Sequence, residues 1–194
     1  IMLDHIKNVK AELLSDNYYI LKKYTFDYKM KSGNWVNQMR EVYDRGHGAG
    51  ILLYNKTKKT ILLVKQFRIP TYLNGNKGGF LLEICAGMLD EDDPITCIIK
   101  EAEEEVGYKI KDVKKIYESY SSPGVMTEKM HFFIGEYDDS MKVSEGGGLD
   151  SEHEDIEVIE MPFQKAIDML NNGEIHDTRT IVLLQYALLN NIFI

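Results

Sequence analysis

The stretch AGMLDEDDPITCIIKEAEEEVGY, residues 86–108, predicts one helix with well-defined ends. Asp92 or Asp93 can cap its first turn, and Pro94 suits the first helical position because a proline there loses no hydrogen bond. Gly107 is a typical residue for ending a helix. The helix is therefore expected to begin near Pro94 and to end near Gly107.

Four carboxylates crowd the second half of this helix, at Glu101, Glu103, Glu104 and Glu105. An advance of about 100° per residue places Glu105 about 40° from Glu101 and Glu104 about 60° away on the other side. Glu103 points nearly opposite and is expected to face water. The expected apolar stripe lies beside the other three glutamates and consists of Ile95, Ile98, Ile99, Ala102 and Val106.

The convergence of Glu101, Glu104 and Glu105 has two interpretations. A run of charge on a helix is usually a solvated face. Three carboxylates beside a buried stripe can instead hold a hard divalent cation such as Mg²⁺, which prefers oxygen ligands and relieves their repulsion. The helix alone leaves both interpretations open.

The patterns in the rest of the chain predict strands over most of its length and two helices at its end. Residues 18–29 and 35–45 are rich in aromatic and β-branched residues and predict a hairpin. Further strands are expected over 48–55, 60–69, 78–87, 112–120, 130–137 and 155–161. Two more helices are expected to begin at Pro162 and at Asp177. One mid-chain helix and two terminal helices among many strands indicate an α/β or α+β sandwich.

Composition limits the possible functions. The 194 residues suit one domain, or one domain plus an arm, and the formal net charge of -8 argues against duplex nucleic acid as a partner. No apolar run approaches the roughly 20 residues of a membrane span, and no signal peptide pattern opens the sequence. We therefore expect a cytoplasmic protein that binds neither nucleic acid nor membrane. The two cysteines, Cys85 and Cys97, are expected to be buried free thiols.

The helix and its preceding loop resemble the Nudix box, G-x5-E-x7-R-E-U-x-E-E-x-G-U, in which U is a bulky apolar residue. The matching positions are Gly87, Glu101, Glu104, Glu105 and Gly107, with Ala102 and Tyr108 at apolar positions.

Three departures from the box stand in its first half. Asp93 occupies the position of the first glutamate, Lys100 replaces the arginine, and six residues rather than seven separate these two. They affect the ion pairing within the loop, whereas the glutamates that bind metal in the family are intact.

Segments outside the box are similar to the branch of this family that hydrolyses nucleoside diphosphate sugars, and to its GDP-mannose members more than to ADP-ribose enzymes. They are REVYDRG (40–46), VKQFR (64–68), CAG (85–87), SPGVMTE (122–128), HFFIGEY (131–137), GGG (146–148), EDIEV (154–158) and GEIHDTRT (173–180). The resemblance implies a Nudix α/β/α sandwich over residues 47–194. It also implies an N-terminal antiparallel sheet or arm, residues 1–46, that crosses to the partner subunit of a homodimer.

The resemblance also implies a metal site and a catalytic base. The implied ligands are the Ala86 carbonyl, Glu101, Glu105 and Glu154, with Glu104 as a near neighbour or second ligand. The cation would be Mg²⁺, with Mn²⁺ as a possible substitute. Glu154 or Glu152 would be the base; the loop is two residues longer than expected, and alignment on the following DIEV favours Glu154.

Substrate contacts are implied for Tyr18, Arg68, Ala86, Gly87, Met88, Glu105, Glu128 and Arg179. Met39, Arg40 and Glu41 would reach in from the other subunit. Independent physical reasons support the two arginines, since a guanidinium can bind two phosphate oxygens and Arg179 lies at an anion-friendly helix start. Ordinary alternatives remain: a surface ion pair for Arg68, a solvated helix-start residue for Arg179, a packing role for Tyr18 and an exposed loop position for Glu128.

The implied reaction is Mg²⁺-dependent hydrolysis of a nucleotide sugar, GDP-mannose giving GMP and mannose 1-phosphate. The sequence leaves two alternatives. One is a pyrophosphatase for ADP-ribose or another ADP-sugar, because spacing does not reveal how a base is selected. The other is a Nudix-like module that binds a nucleotide without cleaving it.

Overall fold

Two compact units make up the chain. The computed structural model describes residues 5–149, 151 and 153–193. One unit comprises Ile1–His47 with Ser119–Lys129, and the other comprises Gly48–Glu118 with Met130–Ile194.

The first unit contains a three-stranded antiparallel sheet in the order β1-β2-β3. Its strands are β1 (Ile6–Asp16), β2 (Ile20–Lys29) and β3 (Trp35–Asp44). The predicted hairpin is confirmed as β2 and β3. We did not predict β1, which is exposed along nearly its whole length and so has no alternating pattern. It owes its extended conformation to pairing with β2.

The second unit is built on a seven-stranded sheet with the main order β10-β5-β4-β9-β8, in which β6 pairs with β5 and β7 with β4. Its strands are β4 (Gly48–Asn55), β5 (Thr60–Phe67), β6 (Phe80–Glu83), β7 (Cys85–Met88), β8 (Lys114–Tyr120), β9 (Lys129–Glu136) and β10 (Glu157–Pro162). The helices are α1 (Ile69–Leu73), α2 (Pro94–Val106), α3 (Phe163–Asn171) and α4 (Thr178–Leu189). No helix among the described residues is long and apolar enough to cross a membrane.

Helices cover both faces of this sheet. Ile51 and Leu53 of β4 pack into a core cluster that contains Ala102 and Val106 of α2. The intervening Leu52 faces the opposite cluster, which α3 and α4 complete. Because successive side chains of a strand point to opposite faces, this alternation produces the predicted α/β/α sandwich.

Two predicted strands were too long. The segment 78–87 forms two strands separated at Ile84, because β6 pairs with β5 whereas β7 pairs with β4. The strand from Thr60 ends at Phe67, and Arg68 is the N-cap of the short helix α1. Pro70, in the first turn of that helix, lacks the N–H that a continuing strand would need.

Helix α2 has the predicted ends but a rotated buried face. Asp93 accepts hydrogen bonds from the Ile95 and Thr96 amides, and Gly107 takes the left-handed conformation at φ 78°. Ile95, predicted to be buried, is 49% exposed. The buried residues are Cys97, Ile98, Ala102, Glu105 and Val106. The buried face is thus turned by roughly 50° towards the glutamates, which carries Glu105 into the core.

Candidate active site

Glu105 is a carboxylate within the apolar core, only 2% exposed. Its Oε2 accepts a hydrogen bond of 3.0 Å from the Ala86 amide, and the Cys85 thiol is a second partner. Burial raises the pKa of Glu105 to about 7, and the nearby Glu154 carboxylate also raises it, while the two hydrogen bonds and Arg68 oppose the shift. A positive charge close to Glu105 would therefore stabilise its ionised carboxylate.

Gly87 provides the surface on which Glu101 lies. A β-carbon at Gly87 would come within 1.8 Å of Glu101 Oε1, which is far too close for two atoms that are not bonded to each other. Pairing of β7 with β4, Ala49 opposite Gly87, holds this glycine in place beneath α2. Only glycine leaves room there for the Glu101 carboxylate.

The glycine loop 146–148 joins Glu154 to the end of α2. The Gly147 and Gly148 amides donate to the carbonyls of Glu105 at 2.9 Å and Glu104 at 3.1 Å, which satisfies orphan acceptors at the helix end. Both glycines have positive φ, 110° and 82°. A β-carbon at Gly148 would lie 2.4 Å from Glu154 Oε2, and this oxygen also accepts from the Leu149 amide at 3.0 Å.

The predicted metal ligands are only partly assembled. Ala86 and Glu105 are hydrogen-bonded, Glu101 lies over the adjacent glycine, and Glu154 is close enough to raise the pKa of Glu105. Among the described residues, no three His, Cys, Asp or Glu side chains converge as a complete metal cage. The buried Glu105, disfavoured in its charged form, fits a hard divalent cation that would stabilise that form.

The other box residues have separate positions. Glu104 is half-buried, and Glu103 is 45% exposed in its side chain and lies 3.9 Å from Lys109, as expected for the water-facing glutamate. Lys100 binds Asp92 at 2.5 Å, so the loop keeps an internal ion pair although Asp93 serves as helix cap. Glu152, a predicted base, lies outside the described residues. Met88 accepts at its carbonyl from the Cys97 thiol at 3.2 Å.

Arg68 and Arg179 meet at one buried carboxylate, Glu83, which is 1% exposed. Arg68 donates to Glu83 through Nε at 2.9 Å and Nη2 at 2.7 Å, a two-point ion pair. Arg179 donates to the same carboxylate through Nη2 at 2.5 Å. The side chains of Arg68 and Arg179 stay 37% and 24% exposed, so both arginines keep access to a ligand.

Sequence reasoning missed Glu83, although a signal was present. A single acidic residue in the apolar strand FLLEIC needs a buried cationic partner, because an unpaired buried charge is very costly. The surface ion pair considered for Arg68 is thus wrong, since its partner is in the core. The solvated helix-start alternative for Arg179 is wrong for the same reason.

Five predicted substrate contacts belong to the three-stranded unit: Tyr18, Met39, Arg40, Glu41 and Glu128. Tyr18 is 87% exposed and contacts the Tyr19 ring, and Met39, Arg40 and Glu41 lie exposed on β3. Glu128 is 5% exposed and lies 3.4 Å from Arg45 Nε, so the exposed-loop alternative is wrong. Their roles in substrate binding stay predictions.

Comparison with known proteins covers nearly the whole chain. The family model described as NUDIX domain matches residues 44–182, and the one described as GDP-mannose pyrophosphatase NudK N-terminal domain matches residues 5–43. A protein of Pectobacterium atrosepticum is 54% identical over 192 residues, which covers 99% of this chain and 98% of that protein. One of Escherichia coli O1:K1 / APEC is 51% identical over 191 residues, covering 98% and 99%. Both relatives carry the name GDP-mannose pyrophosphatase.

Proposed function

The chain belongs to the NUDIX family, and we propose that it hydrolyses the diphosphate bond of GDP-mannose to give GMP and mannose 1-phosphate. The observation that carries this proposal is similarity over nearly the full length of proteins named GDP-mannose pyrophosphatase. The family models likewise match both residues 5–43 and residues 44–182. The proposed division of the chain is an N-terminal sheet over residues 1–46 and a Nudix domain over 47–194.

The proposed cation is Mg²⁺, with Mn²⁺ as a substitute, held by the Ala86 carbonyl, Glu101, Glu105 and Glu154. Such a cation supplies positive charge to phosphoryl oxygens and lowers the pKa of bound water. The buried Glu105, held by the Ala86 amide, supports this site because its ionisation needs compensation. Glu104 would be a near neighbour or second ligand.

The chain's own groups would orient the substrate and move a proton. Glu154, or Glu152 in the same loop, would accept the proton of the attacking water, which requires hydrogen-bond reach. Arg68 and Arg179 would bind oxygens of the diphosphate. The remaining proposed contacts are Tyr18, Ala86, Gly87, Met88, Glu105 and Glu128.

The proposed assembly is a cytoplasmic homodimer with a swapped N-terminal arm. Large apolar side chains on β1 support it, since Ile6, Val9 and Leu13 are 54%, 57% and 57% exposed. A concentration of exposed apolar residues on one strand is typical of an interface. Met39, Arg40 and Glu41 of the partner subunit would then contribute to each site.

A substrate panel with Mg²⁺ tests the function: GDP-mannose, ADP-ribose, GDP-glucose and dinucleoside polyphosphates. GMP and mannose 1-phosphate should be the main products, and Glu105→Gln should abolish Mg²⁺-dependent turnover with the fold intact. Glu103→Gln, on the exposed side of the same helix, is the matched control. Faster cleavage of ADP-ribose would favour the ADP-sugar alternative, and a melting shift with no product would favour the binding module.

A further inference from the structure

We propose that Glu83 is a positioning residue that holds Arg68 and Arg179 as a preformed two-arginine clamp for the substrate's diphosphate. The inference rests on the proposed function for the identity of the ligand. It assigns a role to a buried residue that makes no contact with substrate itself.

The clamp is part of a closed ring of hydrogen bonds. Arg179 bonds Glu83 through Nη2 and Asp177 through Nε, at 2.5 and 3.0 Å. Asp177 accepts at its other oxygen from the Thr180 hydroxyl at 2.7 Å. The Thr180 hydroxyl in turn accepts from the Ile84 amide at 2.8 Å, and Ile84 follows Glu83 in the chain. Because Thr180 and Ile84 are both 0% exposed, this hydrogen bond joins the start of α4 to the end of β6 within the core.

The cluster pairs two arginines with two carboxylates. Glu83 accepts from both arginines and Asp177 accepts from Arg179, so the four charges balance. The two guanidinium groups share one carboxylate, stay partly exposed and repel each other. An anionic ligand bound to both would relieve that repulsion.

Both arginines also keep hydrogen-bond donors for a diphosphate. A guanidinium has five N–H donors, and the bonds to Glu83 and Asp177 use two on each arginine. The other N–H groups of both arginines remain for a ligand, and the bonds to the two carboxylates restrict the positions of both guanidinium groups. Preorganisation of this kind raises affinity because little side-chain entropy remains to be lost on binding.

The clamp is connected to the candidate metal site through the backbone. Glu83 precedes Ile84, Cys85 and Ala86, and the last two hydrogen-bond Glu105. Arg68 is also near enough to lower the pKa of Glu105. The anion clamp and the acidic site therefore share one short stretch of β6 and β7.

The test measures inorganic pyrophosphate binding by calorimetry in metal-free buffer, where the arginines act without a cation. Glu83→Gln, nearly isosteric, should weaken binding about tenfold and raise the KM for GDP-mannose by a similar factor, with kcat changed less. The control is Glu157→Gln, which removes an exposed ion pair to Lys65 on the same sheet. It should stay within about twofold of wild type.

A mutant cycle separates positioning from a merely structural role. In the Arg68→Ala, Arg179→Ala background, adding Glu83→Gln should cause no further loss of pyrophosphate binding, because Glu83 acts through the arginines. An equal loss in both backgrounds would overturn the inference. If Glu83→Gln does not fold, the partly exposed arginines decide: a loss in both Arg68→Ala and Arg179→Ala supports the clamp, and unchanged binding in either contradicts it.

The clamp and the proposed function fail separately. Hydrolysis of GDP-mannose with an unchanged KM in Glu83→Gln would refute the clamp and leave the function standing. Pyrophosphate binding that depends on Glu83, without GDP-mannose hydrolysis, would refute the function and leave the clamp standing.

Discussion

The carboxylate of Glu101 lies against the α-carbon of Gly87, so closely that a β-carbon there would come within 1.8 Å of Glu101 Oε1. Gly87 is not among the residues with positive φ, so its backbone would accept other side chains. The requirement for glycine thus comes from the space that Glu101 occupies and not from the conformation of the chain.

Gly87→Ala should therefore displace Glu101 and damage the proposed metal site. We expect turnover to fall at least about tenfold, and the Mg²⁺ concentration for half-maximal activity to rise by a similar factor. Metal titration of the activity measures both effects. Gly78→Ala is the control, because its β-carbon would meet its nearest neighbour, Phe80, at an ordinary 3.8 Å. Equal loss in both variants would show that the effect is not specific to Glu101.

Gly148→Ala should displace Glu154, which lies 2.4 Å from the position of the added carbon. Positive φ alone costs an L-residue about 1–2 kcal/mol of stability. Gly173→Ala serves as control because its φ of 74° is similar to the 82° of Gly148 and nothing lies within 4 Å. Chemical denaturation should show similar destabilisation from backbone strain in both variants, while only Gly148→Ala should lose most of its turnover. Full activity of Gly148→Ala would argue against Glu154 as ligand or base.

Glu105 should make the metal-free protein less stable as the pH rises. The pKa of Glu105 is raised from 4.5 to about 7 in the folded protein, chiefly by burial. The contribution of Glu105 to folding stability is fully present below pH 4.5 and is lost as the pH rises through about 7. Glutamine does not ionise. Between pH 4.5 and pH 8, the free energy of unfolding of Glu105→Gln should therefore rise by about 2–3 kcal/mol relative to that of wild type.

Denaturant titrations with a chelator at several pH values measure this difference. Glu103→Gln, 45% exposed on the same helix, is the control. Saturating Mg²⁺ should restore wild-type stability at pH 8, because a bound cation stabilises the ionised carboxylate. A flat difference across the pH range would contradict the buried position of Glu105.

Sequence reasoning succeeded where the cause is local. The ends of α2 follow from Asp93 and Gly107, whose capping chemistry acts within one turn. The helical wheel misplaced Ile95 because hydrophobicity alone does not account for the Ala86 amide, which makes burial of Glu105 possible. Sequence reasoning did not identify contacts between residues that are distant in the chain.

The clearest omission is the contact of Glu83 with Arg179, which are 96 residues apart and meet only through the fold. The strand β1 was missed for a related reason, since its pairing with β2 and not its own sequence pattern makes it a strand. Both features depend on interactions that a local reading of the chain does not contain.

The proposed swapped arm predicts that two inactive variants will complement each other. Arg40→Ala removes a proposed contact from the arm, whereas Glu105→Gln inactivates the Nudix domain of the same chain. In a swapped mixed dimer, one site combines an intact arm with an intact domain, and the other site carries both substitutions. Without swapping, each site of the mixed dimer carries one substitution and stays inactive.

Equal amounts of the two variants, dissociated and reassociated together, should recover about one quarter of wild-type activity. About half of the dimers are then mixed, and each has one intact site. Each variant taken alone through the same treatment is the control. Light scattering should show a dimer throughout. Val9 and Leu13 of β1 are exposed apolar residues, so we expect Leu13→Lys to yield monomers. Recovery no higher than that of the separate variants, with dimers still exchanging subunits, would exclude the swapped arrangement.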